Sequence, residues 1–138
     1  MQFIVFLGIG FNVVGQFFRL GSFFSAKSNF HHRIQWEKSQ DHELVTTGLY
    51  SISRHPGYLG WFLFSIGNQL LLVNPISFVI FIPISWYFFY DRIAVEEIYL
   101  EDFFGEAYVK YRNRVPTRIP FIDTLAPKKR EEYLKQYQ

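Results

Sequence analysis

Between Tyr58 and Tyr90 the chain runs for about thirty residues without a formally charged side chain. A helix rises 1.5 Å per residue, so ~20 apolar residues cross the hydrocarbon core of a bilayer. This stretch is too long and too aromatic for an ordinary soluble domain of 138 residues. Asn74-Pro75 divides it near the middle, because proline disfavours the helical conformation at the residue before it. The division predicts a tight transmembrane hairpin with spans at 58–73 and 76–90; one long kinked helix is the alternative. Pro83 lies inside the second half as a candidate kink. Each half is slightly short for a span, and the Tyr and Trp residues at their ends suit the membrane interface.

A second apolar block opens the chain, FIVFLGIGFNVVGQFFRLGSFF, from Phe3 to Phe24. A signal peptide wants a basic start and a small-residue cleavage site, and MQFIVF has no basic residue, so a membrane helix over 3–24 is the better reading. Asn12, Gln16 and Arg19 share one helical face, which predicts that this face looks onto protein or a water-filled site. For Arg19 a second reading stands beside this one, that it snorkels to an interface. Gly8, Gly15 and Ser22 recur every seven residues, a pattern suited to close helix contact.

Aromatic residues make up 21% of the chain while mean hydropathy is only +0.03, so the charges must be concentrated elsewhere. They lie in the connector from Ser25 to Arg54 and after Tyr90. The positive-inside rule then puts both polar regions in the cytosol. From Asp91 to Arg112 the pattern reads as one or two amphipathic helices broken near Gly105, ended by Pro116 and Pro120. The tail PKKREEYLKQYQ reads as a solvated tail, with contact between its KKR triplet and anionic lipid as the lesser alternative. The expectation is an all-α, multi-span helical membrane protein of one domain over 1–138, with a polar, cytosolic C-terminal region.

Some chemistries are excluded. There is no cysteine, so disulfide, thiolate and zinc-thiolate chemistry are absent. A formal net charge of +2 is too balanced to argue for nucleic acid. No metal site is expected, since His31 and His32 have no partner at ligand spacing. GIGFNVVG lacks the glycine spacing and the preceding strand of a dinucleotide loop.

Two polar constellations remain. The first runs from His42 to Tyr58 and ends in Arg54-His55-Pro56-Gly57-Tyr58, where block two enters the membrane. Pro56 suits the first turn of a helix, whose free N–H groups could take an anion; the plainer reading is an interfacial anchor. The second is Asp91-Arg92 with Glu96-Glu97. Arg92 and Glu96 are four residues apart and share a face. They form either a surface ion pair of a few tenths of a kcal/mol or a cation and an anion at the edge of a membrane cavity.

The run HELVTTGLYSISRHPGYLGWFLFSIGNQLLLVNPISF, followed by WYFFYDRIAVEEIYLEDFFGEAYVKYRNRVPTRIPFI, resembles the isoprenylcysteine carboxyl methyltransferase family, and the upstream SAKSNFHHRIQ fits it too. The likeness extends from about Gly15 to Ile122, and the spacing of RHPGY, NP, DRxxxEE and FFGEAY is specific. It implies an endoplasmic reticulum membrane enzyme, multi-pass, with its active site facing the cytosol. Such an enzyme moves a methyl group from S-adenosyl-L-methionine to the C-terminal carboxylate of a farnesyl- or geranylgeranyl-cysteine on processed CaaX proteins. By resemblance Gln35, His42, Glu43, Leu44, Val45, Tyr50, His55, Pro56, Gly57 and Tyr58 bind the cofactor. Glu96 contacts it as well, and Arg92 meets the substrate carboxylate.

Two departures from the family accompany this. Its members carry further membrane helices ahead of this region, so the chain reads as a minimal form or as a part that lacks some of the lipid-tunnel wall. Gly57 stands where many relatives place serine. Three competing readings share parts of the pattern: a membrane methyltransferase acting on phospholipid amines or other small lipids, a sterol-reductase-like enzyme using NADPH, and a non-catalytic relative. An anionic acceptor needs Arg92, whereas a neutral amine does not.

Overall fold

The computed structural model describes residues 1–26 and 43–137. Its elements are α1 (Gln2–Ala26), α2 (Pro56–Leu71), α3 (Pro75–Phe104), α4 (Glu106–Arg114) and α5 (Ile122–Gln136), with a short 3-10 turn at Gly48–Ser51. Among the described residues there is no strand, and α1 and α3 are long and apolar enough to cross a membrane. The architecture is that of an all-helical membrane protein.

The seven-residue pattern in α1 does what its spacing implies. Gly8, Gly15 and Ser22 are buried along a seam with α2, where Gly60 and Gly67 face them. A Cβ on Gly15 would lie 2.6 Å from the backbone nitrogen of Phe64 and 2.7 Å from the carbonyl oxygen of Gly60. A Cβ on Gly60 would lie 2.5 Å from the backbone nitrogen of Arg19. The two backbones therefore meet directly, which only small residues permit. Around the rest of α1 the large side chains, Phe3, Phe6 and Phe24 among them, are exposed, as lipid-facing residues are.

The hairpin forms where proline divides the apolar stretch. α2 ends at Leu71, Val73 adopts a left-handed backbone at φ 49°, and Asn74 caps α3 by accepting a hydrogen bond from the Ser77 amide at 3.1 Å. Pro75 takes the first turn, where its missing N–H costs nothing. Ser77 also donates to Gln69 across the turn at 2.6 Å, tying the two helices together.

Two expectations need correction. The charged stretch from Asp91 does not begin a new helix. α3 continues through it to Phe104 as one element of 30 residues, roughly 45 Å long. That exceeds a hydrocarbon core of ~30 Å, so one helix carries both the apolar span and the charged stretch that begins at Asp91. The break comes at Gly105, whose φ of 57° suits glycine at a helix end. The C-terminal tail is also not a solvated strand of chain. It forms α5, which packs on α3, with Ile122 and Ala126 buried against Leu59, Phe62, Phe89 and Ile93. Lys129 and Arg130 of the KKR triplet turn inward, to Asp91 at 3.8 Å and to Glu97.

The α1–α2 seam makes a contrast that melting curves in detergent should show. Gly60→Ala is expected to destabilise the protein by about 1–3 kcal/mol, the usual cost of forcing a group into a filled contact. Gly10→Ala, whose Cβ meets nothing within 4 Å, should leave stability unchanged or raise it by up to about 1 kcal/mol.

Candidate active site

The polar ends of α2 and α3 and the aromatic residues of α4 close around a cavity of about 820 Å³. α1 contributes Gln16 and Arg19 to its wall, with Leu20 and Phe23. Arg19 lies 4.8 Å over the ring of Trp61, and both line the cavity, as the first of its two readings expects.

On one wall three side chains form a chain of hydrogen bonds. The Nε of Arg92 donates to the Tyr58 hydroxyl at 2.7 Å, and that hydroxyl donates to Oε2 of Glu96 at 2.5 Å. A phenol can accept and donate at once, so Tyr58 links cation to anion. The shared helical face of Arg92 and Glu96 thus gains a member from α2 that spacing within α3 does not reveal. Arg92 also lies 5.5 Å over the Tyr58 ring.

Behind this wall, one residue along α3, Glu97 is 0% exposed. Its Oε1 takes the Nε of Arg54, the Tyr108 hydroxyl at 3.1 Å and the Nε2 of His55 at 3.2 Å. Its Oε2 takes Nη1 of Arg130. Two guanidiniums hold it as a carboxylate, which only accepts, so His55 carries its proton on Nε2. Arg54 reaches further, to the carbonyl of Val115 at 3.0 Å and to Asp123 at 2.7 Å. The RHP segment is bolted to the C-terminal region through backbone as well, Arg54 N–H to Pro116 at 3.1 Å and Ser53 hydroxyl to Thr117 at 2.6 Å. The ring of His55 stacks on that of Tyr58 at 5.6 Å, joining the buried carboxylate to the cavity wall.

Ten of the residues singled out from the sequence line this one cavity: Glu43, Leu44, Val45, Tyr50, His55, Pro56, Gly57, Tyr58, Arg92 and Glu96. Gln35 and His42 lie outside the described residues. Sequence reasoning did not assign roles to Glu97, Tyr108, Tyr111, Trp61 or Arg130. Glu97 was inseparable from Glu96 on pattern, since only the three-dimensional packing tells which of two adjacent acids faces inward.

The site contains an anion, Glu96, beside several aromatic rings, a combination suited to a positively charged ligand group. It also contains a cation, Arg92, suited to a carboxylate. The volume falls in the range of small-molecule sites, ~300–1,000 Å³. Arg54 is the most deeply buried arginine among the described residues. Burial alone would lower its pKa, but Glu97 outweighs that and the value is raised.

Fold and site together define a helical membrane protein with an aromatic, charge-paired cavity at one end of its bundle. The chain belongs to the isoprenylcysteine carboxyl methyltransferase family, which it matches over residues 8–102. It is 51% identical over 116 residues to the protein-S-isoprenylcysteine O-methyltransferase of Saccharomyces cerevisiae, covering 84% of this chain and 48% of that one. It is 52% identical over 110 residues to the enzyme of the same name from Homo sapiens, covering 80% and 39%. A solved structure of the eukaryotic intramembrane Ras methyltransferase ICMT superposes with a TM-score of 0.87 at 43% identity, covering 89% of this chain and 44% of that one. The chain spans about half or less of the length of these relatives.

The phenols around the cavity make a pH prediction. Burial, then Glu96, pushes Tyr50 up to about 12. Burial, then Glu97, holds Tyr108 well above the ordinary phenol range, and Tyr111 is raised by burial and Tyr50. Folded values above the unfolded one of ~10 mean that the protonated phenols favour the folded state fully below pH ~10 and lose that contribution as pH climbs through the folded values. Phenolate absorbance from these residues should therefore lag behind exposed tyrosines and appear together with loss of helical circular dichroism. Tyr108→Phe is expected to remove part of the alkaline destabilisation.

Proposed function

We propose that this protein transfers a methyl group from S-adenosyl-L-methionine to the C-terminal carboxylate of a prenylated cysteine, on CaaX proteins bearing a farnesyl or geranylgeranyl chain. The observation that carries the reading is the Arg92–Tyr58–Glu96 chain on the wall of an aromatic cavity fed by membrane helices. The names of the relatives support the same activity. The resemblance to the family implies the endoplasmic reticulum membrane, and the basic residues flanking the spans fit a cavity facing the cytosol.

The cofactor, when bound, supplies an electrophilic sulfonium methyl. The acceptor carboxylate is already an anion at neutral pH, so the protein needs no general base. Arg92 orients that carboxylate through a charge-assisted hydrogen bond. Tyr58 accepts from Arg92 and tempers its charge, so the carboxylate is held without losing its nucleophilicity. Glu96 meets the positive charge of the cofactor, and Tyr50, Glu43, Leu44, Val45, His55, Pro56 and Gly57 form the remainder of its pocket. By resemblance Gln35 and His42 bind the same cofactor. The aromatic walls exclude water, which strengthens these polar contacts, and alignment of the reacting groups then supplies much of the acceleration. Prenyl burial on the lipid side contributes roughly 0.8 kcal/mol per CH₂.

Arg92 also favours this reading over an amine-methylating one, because an amine acceptor gains nothing from a guanidinium. In detergent or lipid, labelled methyl transfer is expected to farnesylcysteine and not to the same thioether with its carboxylate amidated. Absence of transfer in folded protein that binds the cofactor would overturn the activity.

The two charges should separate in variants. Arg92→Ala is expected to raise KM for the prenylcysteine about 10–100-fold, the size of one lost charged hydrogen bond, with cofactor affinity nearly kept. Glu96→Ala should do the reverse. Equal losses for both ligands in both variants would refute this division.

A further inference from the structure

The match to the family ends at residue 102, yet α5 lies well beyond it and enters the polar interior twice. Asp123, in its first turn, pairs with Arg54 at 2.7 Å and accepts from the Thr117 amide at 3.0 Å. Arg130, two turns on, pairs with Glu97. The Arg130 side chain is only 13% exposed, so this pair is shielded from water.

The two oxygens of Glu97 divide their partners. Oε1 serves Arg54, His55 and Tyr108, and Arg130 binds Oε2. A carboxylate turns about its last side-chain bond, and a guanidinium on one oxygen limits that turn. His55 and Tyr108 line the cavity, and His55 stacks on Tyr58, whose hydroxyl joins Arg92 to Glu96.

We infer that Arg130 is a positioning residue for the cavity: by holding Oε2 of Glu97 it aims Oε1 at His55 and Tyr108, and so sets the His55–Tyr58 stack that the ligand meets. The C-terminal helix is then a working part of the site. The inference rests on the proposed function only where cofactor affinity is read.

The test uses the full chain in lipid nanodiscs and measures amide hydrogen exchange and S-adenosyl-L-methionine binding. Arg130→Gln is expected to speed exchange across residues 53–58 roughly tenfold, the scale of coupling between linked sites, with α1 unchanged. Cofactor Kd should rise by a similar factor, and Arg130→Lys should recover part of both. Faster exchange confined to α5 or spread evenly over all helices, or faster exchange at 53–58 with unchanged affinity, would overturn the positioning role. If Arg130→Gln gives no folded protein, the wild type decides by reciprocity. Saturating cofactor should then slow exchange across residues 126–133, and no slowing would sink the inference. A wild type that binds no cofactor counts against the proposed function alone, and the exchange comparison among Arg130 variants still decides this inference.

Discussion

A single carboxylate, that of Glu97, organises the water-side half of the molecule. Removing such a charge from solvent is tolerable only when partners replace the water, and leaving one buried charge without its partner typically costs about 3–5 kcal/mol. Glu97 receives four partners from three parts of the chain: the RHP segment gives Arg54 and His55, α4 gives Tyr108 and α5 gives Arg130. Asp123 answers the second charge of the cluster by pairing with Arg54. Positive and negative groups balance, so Glu97 and Arg54 are buried without a stray charge, with Asp123 at the exposed edge of the cluster. Its geometry decides where the RHP segment lies, and therefore where α2 starts.

The lipid-side half is assembled by a different force. Water does not drive helices together within a bilayer, so α1 and α2 rely on close backbone approach across glycines. The two halves share α2 and α3. Their apolar turns pack in the bilayer seam and hairpin, while their polar ends meet at the cavity. Arg92, Glu96 and Glu97 lie within six residues of one another on the same helix that supplies the apolar span, so the site and the span share one rigid element.

Much of this was readable in advance where one local rule decides the outcome. Asn74-Pro75 marks the hairpin because proline cannot accept the helical pattern there. Gly8, Gly15 and Ser22 mark the α1 seam because only small residues permit it, and the spacing of Arg92 and Glu96 puts them on one face. The resemblance, more than the chemistry, pointed to Tyr50 and to the Glu43–Val45 segment. What escaped depends on tertiary approach. Tyr58 joins Arg92 to Glu96 only because α2 and α3 lie side by side. The helical continuity of α3 was hidden because charge appears where the solvent changes, not where the helix stops. α5 looked like a tail because its inward face mixes the buried Ile122 and Ala126 with the half-buried Arg130 and Tyr133. An apolar period does not register such a stripe, though Tyr133 donates to Asp91 at 2.5 Å and Arg130 to Glu97.

The unbroken run of α3 also acts as a depth gauge. From Pro75 to Arg92 the helix climbs roughly 26 Å, close to the ~27 Å hydrocarbon thickness of a thin bilayer such as that of the endoplasmic reticulum. Under the proposed function, with Pro75 at the far boundary, Arg92 would surface at headgroup level, where a lipid-anchored chain end would be presented. In a thicker membrane the same guanidinium would sink below that level unless the bundle tilted or the lipid thinned around it. Helix length would thus couple the depth of Arg92 to the thickness of the bilayer around it.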